Sequence, residues 1–207
     1  MNKIIEKEFL TDNTVKFVFD AADVASQCKA GHFVFVHLND TERLTLSVAD
    51  ADEKEGTITL VIEAVGEMSS KIANLNEGDE VLIEGPKGKV IDVENYNSVI
   101  AIGGAAGIAP LLMTVKELKK AGNKVYSVLV ANSEEQMFFE SDIKEFSDDL
   151  TIFTYDNQDE AGLEELVKSI ISQESVQKAY LMGPKVLLKP AHNRLKELSL
   201  PMQATLW

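Results

Sequence analysis

Ser98-Val-Ile-Ala-Ile-Gly-Gly-Ala-Ala-Gly-Ile-Ala-Pro-Leu-Leu112 decides how this chain is read. The apolar run from Val99 to Ile102 is bounded by turn signals and reads as a buried strand. Gly103, Gly104 and Gly107 follow it, and a helical pattern opens at Ile108. Strand, glycine-rich turn and helix together aim backbone N–H groups and a positive helix end at a phosphate. A Cβ at those glycines would hold a pyrophosphate away from the backbone. Pro110 falls in the first helical turn, where its missing N–H costs nothing. The same pattern also suits a purely structural turn that lets a helix pack close to a strand. The rest of the chain has to arbitrate.

Downstream, apolar runs alternate with helical stretches. Strands are predicted at 98–103, 124–131, 150–154 and 178–182, helices at 108–121, 136–146, 160–173 and 185–198, and a last strand at 202–206. That order implies a parallel sheet with helices on both faces. Upstream, residues 1 to about 93 read as all-β, with strands at Thr14–Asp20, His32–Leu38, Thr57–Glu63 and Glu80–Glu84 separated by turn residues. One short helix is predicted over Ser69–Leu75, where serines can cap the first turn. The expected architecture is an antiparallel β-barrel domain over 1–94, then an α/β domain with an open parallel sheet over 95–207. A barrel followed by such a sheet is the division of labour expected when one domain holds a flavin and the next a pyridine dinucleotide, although fold order alone is an analogy.

Composition narrows the function. The 207 residues are 45% hydrophobic and 26% charged, ordinary for a globular protein. No apolar run approaches the ~20 residues of a membrane span. The amino terminus carries charges where a signal peptide needs an apolar core, so a cytoplasmic location is expected. The formal net charge is −14, and both halves of the chain are acidic, which disfavours nucleic acid as a partner. Any phosphate must be held by local backbone donors and a few placed cations. Cys28 is the single cysteine, so no internal disulfide, structural zinc or iron–sulfur cluster is expected. The three histidines offer no metal-binding spacing.

Two segments of the first half carry candidate chemistry. In Glu42-Arg-Leu-Thr-Leu-Ser-Val-Ala-Asp50, Arg43 and Ser47 are four apart in an extended run and line one face. The Arg43 fork can neutralise a pyrophosphate and the Ser47 hydroxyl can reach a flavin ring edge; a plain surface arginine on a strand is the alternative. In Val65-Gly-Glu-Met-Ser-Ser-Lys71, Gly66 brings the chain close to a ligand and Ser69 stands at the mouth of a helix. An ordinary capped helix is the alternative there. Gly85-Pro-Lys-Gly88 reads as a structural turn closing the barrel.

These segments, with Gly31-His-Phe-Val34, Ala49-Asp50, Glu63-Ala-Val-Gly66 and Met182-Gly-Pro184, follow one another in the order found in the ferredoxin–NADP reductase superfamily. The chain resembles that superfamily, most closely the electron-transfer subunits of the dihydroorotate dehydrogenase type and the small subunits of NADH-dependent ferredoxin:NADP oxidoreductases. The resemblance implies FAD on the barrel, with Arg43 and Ser69 at the pyrophosphate and Leu46 and Ser47 near the isoalloxazine. Val61 and Glu63 would run beside the ribityl chain. Gly103, Gly104, Gly107, Ile108 and Pro110, together with Gly183 and Pro184, would frame NAD(H). The implied chemistry is hydride transfer from nicotinamide to flavin, then release of single electrons to a redox partner protein or larger catalytic subunit.

Departures from the family pattern qualify this. The cysteine segment that ligates a [2Fe–2S] centre in close relatives would begin where this chain ends, so no such cluster is expected in this polypeptide. Leu187 and Leu188 stand where the family has paired methionines. No Lys or Arg occurs from Tyr126 through Ile143, while Glu134, Glu135, Glu140 and Asp142 do, so NAD is expected over NADP. Three readings follow: an FAD-containing NADH oxidoreductase; an FAD-binding accessory subunit without nicotinamide chemistry of its own; and a relic domain binding neither ligand, which would make Arg43 and Ser69 coincidences. Trp207, the single tryptophan, ends the predicted last strand and either lies against the isoalloxazine or frays.

Overall fold

The structure is a computed structural model and describes residues 1–39 and 41–207. The chain divides into two compact units, Met1–Ile91 and Asp92–Trp207.

The first unit is a closed antiparallel barrel in the order β1-β2-β5-β4-β3-β6. Its strands are β1 (Asn2–Phe9), β2 (Thr14–Asp20), β3 (Phe33–His37), β4 (Arg43–Asp52), β5 (Thr57–Glu63) and β6 (Glu80–Lys87), with short helices α1 (Ala22–Ala25) and α2 (Glu67–Ala73). Alternation builds it: Val15, Phe17 and Phe19 of β2 lie opposite Ile62, Leu60 and Ile58 of β5, and all six are sealed from water. Each such side chain contributes about 1.5–3 kcal/mol of burial. Closure leaves no free strand edge. The predicted helix begins two residues earlier than the serines suggest, at Glu67.

In the second unit five parallel strands run in the order β11-β10-β7-β8-β9. They are β7 (Ser98–Gly104), β8 (Lys124–Ala131), β9 (Asp149–Thr154), β10 (Lys178–Gly183) and β11 (Met202–Leu206), interleaved with α3 (Ile108–Lys120), α4 (Glu140–Glu145), α5 (Glu160–Glu174) and α6 (Lys185–Glu197). The central strands are covered on both sides, hence their unbroken apolar runs. Leu163 and Val167 of α5 and Leu188, Ala191 and Leu195 of α6 share one core with Ile100, Val128 and Leu181. The strand order reverses between β7 and β10, which sets the crevice of an open α/β sheet at their carboxyl ends.

One predicted helix is shorter than expected. Residues 134–136 form a single 3-10 turn, Met137 is extended, and Phe139 takes a left-handed backbone (φ 58°) before α4 starts at Glu140. Met137 and Phe138 are buried, so packing of two apolar side chains overrides the helical pattern.

Candidate functional site

The register of β3 on β4 sorts the first group of candidate residues. Val34 faces Leu46 and Val36 faces Leu44, while Phe33 faces Ser47, Phe35 faces Thr45 and His37 faces Arg43. Residues directly opposite share a face. Val34 and Val36 are core residues, so Leu44 and Leu46 turn inward and Arg43, Thr45 and Ser47 turn outward. On β5, Ile58, Leu60 and Ile62 point inward by the same alternation, leaving Val61 and Glu63 outward. Arg43, Ser47, Val61 and Glu63 therefore lie on the outside of the barrel wall. Leu46 does not; its side chain is on the core side.

Arg43 is exposed, and its guanidinium carbon stands 4.1 Å from the centre of the Phe35 ring. Among the described residues it takes part in no ion pair. Its neighbour Glu42 is held instead by Lys71 of α2 at 2.7 Å, and Lys71 also reaches Glu67 at 3.0 Å. This bridge ties the last turn of α2 to the residue preceding β4. The hydrogen bond from Lys71, with a second from Asn39, holds the Glu42 carboxyl below the ordinary carboxylate range.

Ser69 is buried, and its hydroxyl is engaged within the turn before α2. The Oγ accepts from the N–H groups of Val65 (3.2 Å) and Gly66 (3.0 Å) and donates to the carbonyl of Gly66 (3.1 Å). These bonds fix the shape of the turn. Gly66 is extended, and a Cβ placed there would meet nothing nearer than Ser69 Oγ at 3.9 Å. The space above Gly66 is open.

The glycines of the second unit contrast with it. A Cβ on Gly107 would sit 2.1 Å from the carbonyl oxygen of Met182, and one on Gly183 (φ 138°) would sit 2.4 Å from that of Gly104. A Cβ on Gly103 would meet Leu111 at 2.8 Å, and one on Gly104 would meet Leu187 at 2.7 Å. Gly107 and Gly183 are therefore required by the protein's own backbone, with the loops after β7 and β10 packed against each other, whereas Gly103 and Gly104 meet the ends of leucine side chains. The segment still follows the predicted order, with Ile108, Ala109 and Pro110 making the buried first turn of α3 and Pro184 preceding α6. Ala105 holds a left-handed φ of 47° at the apex of the turn, an unusual state for a residue with a Cβ.

Trp207 is tied down. Its N–H bonds the carbonyl of Gly183 at 3.3 Å and its carbonyl accepts from Lys185 at 2.8 Å, while its side chain stays about half exposed.

The sequence reading missed two features. At the carboxyl end of β9 an open hollow of about 510 Å³ is lined by Tyr155, Asp156, Asn157, Gln158, Asp159 and Gly162. Asp156 lies near enough to Glu135, in the loop after β8, to oppose its ionisation, although a hydrogen bond from Ser133 holds Glu135 below the usual range. The polar run Asp-Asn-Gln-Asp immediately after a strand was the available signal. The second feature lies at the opposite end of the sheet. Lys178 reaches Asp92 at 2.5 Å and the Tyr96 hydroxyl at 2.9 Å, Tyr96 donates to the same carboxylate, and Tyr180 donates to the Asp92 carbonyl at 2.6 Å. The Lys178 hydrogen bond, followed by that from Tyr96, pulls the Asp92 carboxyl down to about 2. Burial works against the Lys178 charge, but its hydrogen bonds outweigh burial and raise its pKa. These partners come from residues far apart in the chain, so no local pattern announces them.

Among the described residues no cluster of His, Cys, Asp and Glu could hold a metal, and no helix is long and apolar enough to cross a membrane.

Comparison with known proteins extends this. Residues 2–91 match the family described as "Oxidoreductase FAD-binding domain". The chain is 29% identical over 212 residues to a Thermotoga maritima protein named dihydroorotate dehydrogenase B (NAD(+)), electron transfer subunit homolog, covering all of this chain and 74% of that protein. It is 27% identical over 185 residues to the electron transfer subunit of dihydroorotate dehydrogenase B (NAD(+)) from Fusobacterium nucleatum, covering 83% and 70%. Among solved structures, one of an NADH-dependent reduced ferredoxin-NADP oxidoreductase, described for flavin-based electron bifurcation, superposes with a TM-score of 0.89 at 26% identity. It covers all of this chain and 76% of that one. Phthalate dioxygenase reductase shares the fold at a TM-score of 0.77 and 17% identity. Residues 2–91 thus match the oxidoreductase FAD-binding domain family, and the barrel followed by a parallel five-stranded sheet is the arrangement of ferredoxin–NADP reductase-like proteins.

Proposed function

We propose that this protein is an electron-transfer subunit that binds FAD on the outer wall of its barrel and accepts electrons from NADH for a larger catalytic partner. The observation that carries the reading is Arg43: an exposed guanidinium with no acidic partner among the described residues, set on the outward face of a barrel that matches the FAD-binding family. The open space at Gly66 and the α2 turn that Ser69 holds in shape fit a diphosphate. Arg43 would neutralise it through in-plane donors, with Ser47, Val61 and Glu63 on the same outward face. Leu46 could reach the flavin only through its backbone. When bound, FAD supplies the redox chemistry, taking a hydride from a reduced nicotinamide and passing electrons on singly.

Within the second unit, NADH is preferred over NADPH because the loops after β8 and β9 carry Glu134, Glu135, Asp156 and Asp159 and no cation between Tyr126 and Ile143. A 2′-phosphate there meets like charge, at a cost of a few kcal/mol at moderate effective dielectric. Anaerobic mixing of the flavin-loaded protein with NADH should bleach the flavin absorbance rapidly, and NADPH should do so far more slowly.

One observation favours a second reading, an FAD-binding accessory subunit without nicotinamide chemistry. Gly107 and Gly183, at the β7–β10 crevice, are needed for internal backbone packing whether or not a nucleotide binds. Absence of bleaching by either nucleotide, with FAD retained, would select that reading.

A further inference from the structure

We infer that Phe35 is a positioning residue for Arg43, and that a column of contacts running Gly88–Phe33–Phe35–Arg43 joins the carboxyl end of β6 to the diphosphate site. This rests on the reading of Arg43 as a diphosphate ligand. Phe35 and Arg43 are diagonal neighbours on adjacent strands, since Phe35 faces Thr45 and His37 faces Arg43. The Arg43 guanidinium carbon lies over the Phe35 ring, 4.1 Å from its centre, so the ring face attracts the cation. Phe35 is itself fixed by Phe33, edge-on with ring centres 5.5 Å apart.

Phe33 in turn rests against Gly88. A Cβ there would come within 2.9 Å of the Phe33 ring, and Gly88 has a φ of 97° that favours glycine. Gly85, Pro86 and Lys87, expected as a turn, instead extend β6 along β3, and Gly88 directly after that strand sets the depth at which Phe33 lies. An exposed arginine has many rotamers, and each one frozen in advance is entropy that ligand binding need not remove. Phe33 and Phe35 are partly exposed on the outward face, opposite to the buried Val34 and Val36, so the column lies outside the barrel core.

The test is titration of flavin-free full-length protein with FAD and, separately, with riboflavin, which carries the same ring system and no phosphate. In F35L, FAD should bind about two- to fivefold more weakly, riboflavin affinity and thermal unfolding should not change, and F35Y should restore FAD affinity. R43A runs alongside. If R43A weakens FAD but F35L does not, positioning by Phe35 is overturned while the diphosphate role of Arg43 stands. If F35L weakens riboflavin as much as FAD, Phe35 acts on the ring system or the fold and the inference fails. If R43A leaves FAD affinity unchanged, the underlying reading of Arg43 fails first.

Discussion

The two units treat their candidate residues in opposite ways. On the barrel, Arg43 faces solvent without an acidic partner among the described residues, and the position above Gly66 is open. In the parallel-sheet unit, Gly103, Gly104, Gly107 and Gly183 are packed against the chain's own backbone and side chains. A glycine can be needed because a ligand comes close or because the protein does, and a sequence motif does not say which. The barrel unit holds groups that structure alone does not require; the glycine crevice holds groups that structure does require. Mutations therefore separate by readout, stability in one unit and ligand affinity in the other.

The largest effect should come from Gly107→Ala. Its Cβ would lie 2.1 Å from a backbone oxygen, which no rotamer change relieves, so the loops after β7 and β10 must part. Loss of more than about 3 kcal/mol is expected, read as a lowered unfolding midpoint or failure of the second unit to fold. Gly183→Ala adds a left-handed φ to a similar clash and should behave alike. A Gly107→Ala protein of wild-type stability that has lost only nucleotide affinity would erase the contrast between the units.

Arg43→Ala tests the other side. Loss of one charge-assisted contact removes about 1.5–3 kcal/mol, roughly one to two decades of FAD affinity. Stability should move by less than about 0.5 kcal/mol, because an exposed side chain is lost from an outward face. Purification with full FAD occupancy after dialysis would take Arg43 out of the site.

A third effect, smaller because it is partly solvated, belongs to the Lys178–Asp92–Tyr96 cluster. Lys178→Met should lower stability by about 1–2 kcal/mol and leave FAD affinity unchanged. The Asp92 carboxyl is depressed from 3.8 to about 2. Its contribution is therefore complete above about pH 4 and is lost as the pH falls toward 2. The wild type should lose stability across that window more steeply than Lys178→Met, as read by denaturant unfolding at each pH.

Much of this arrangement was legible beforehand, for identifiable reasons. Strands β7, β8 and β10 are buried on both faces, so their apolar runs mark them to within a residue or two. Strand β1 escaped notice because within Asn-Lys-Ile-Ile-Glu-Lys-Glu-Phe only Ile4 is buried, leaving no alternation to read. The shared face of Arg43 and Ser47 follows from a period of two. The Phe35 contact does not, because it depends on which residue of β3 lies beside which residue of β4. The glycine packing was illegible for the same reason: the partner of Gly107 is the end of β10, a different strand. Local pattern gives faces and periods; register and strand order decide who meets whom.

Gly66→Ala should produce the smallest effect, and it distinguishes ligand from protein most cleanly. Gly66 has φ −148° and ψ 171°, extended values that alanine adopts without strain. The added methyl would approach only Ser69 Oγ, at 3.9 Å, an ordinary contact. The two hydrogen bonds that Ser69 accepts come from the backbone of Val65 and Gly66 and survive the change. Replacing glycine by alanine at this helix N-cap should cost no more than about 1 kcal/mol. Any larger loss of FAD affinity must then arise from the methyl meeting the cofactor, and a drop of up to about tenfold is expected, about 1.4 kcal/mol. Wild-type affinity for FAD together with wild-type stability would mean that no ligand comes near Gly66, and the diphosphate would have to lie elsewhere along the outward face of β4.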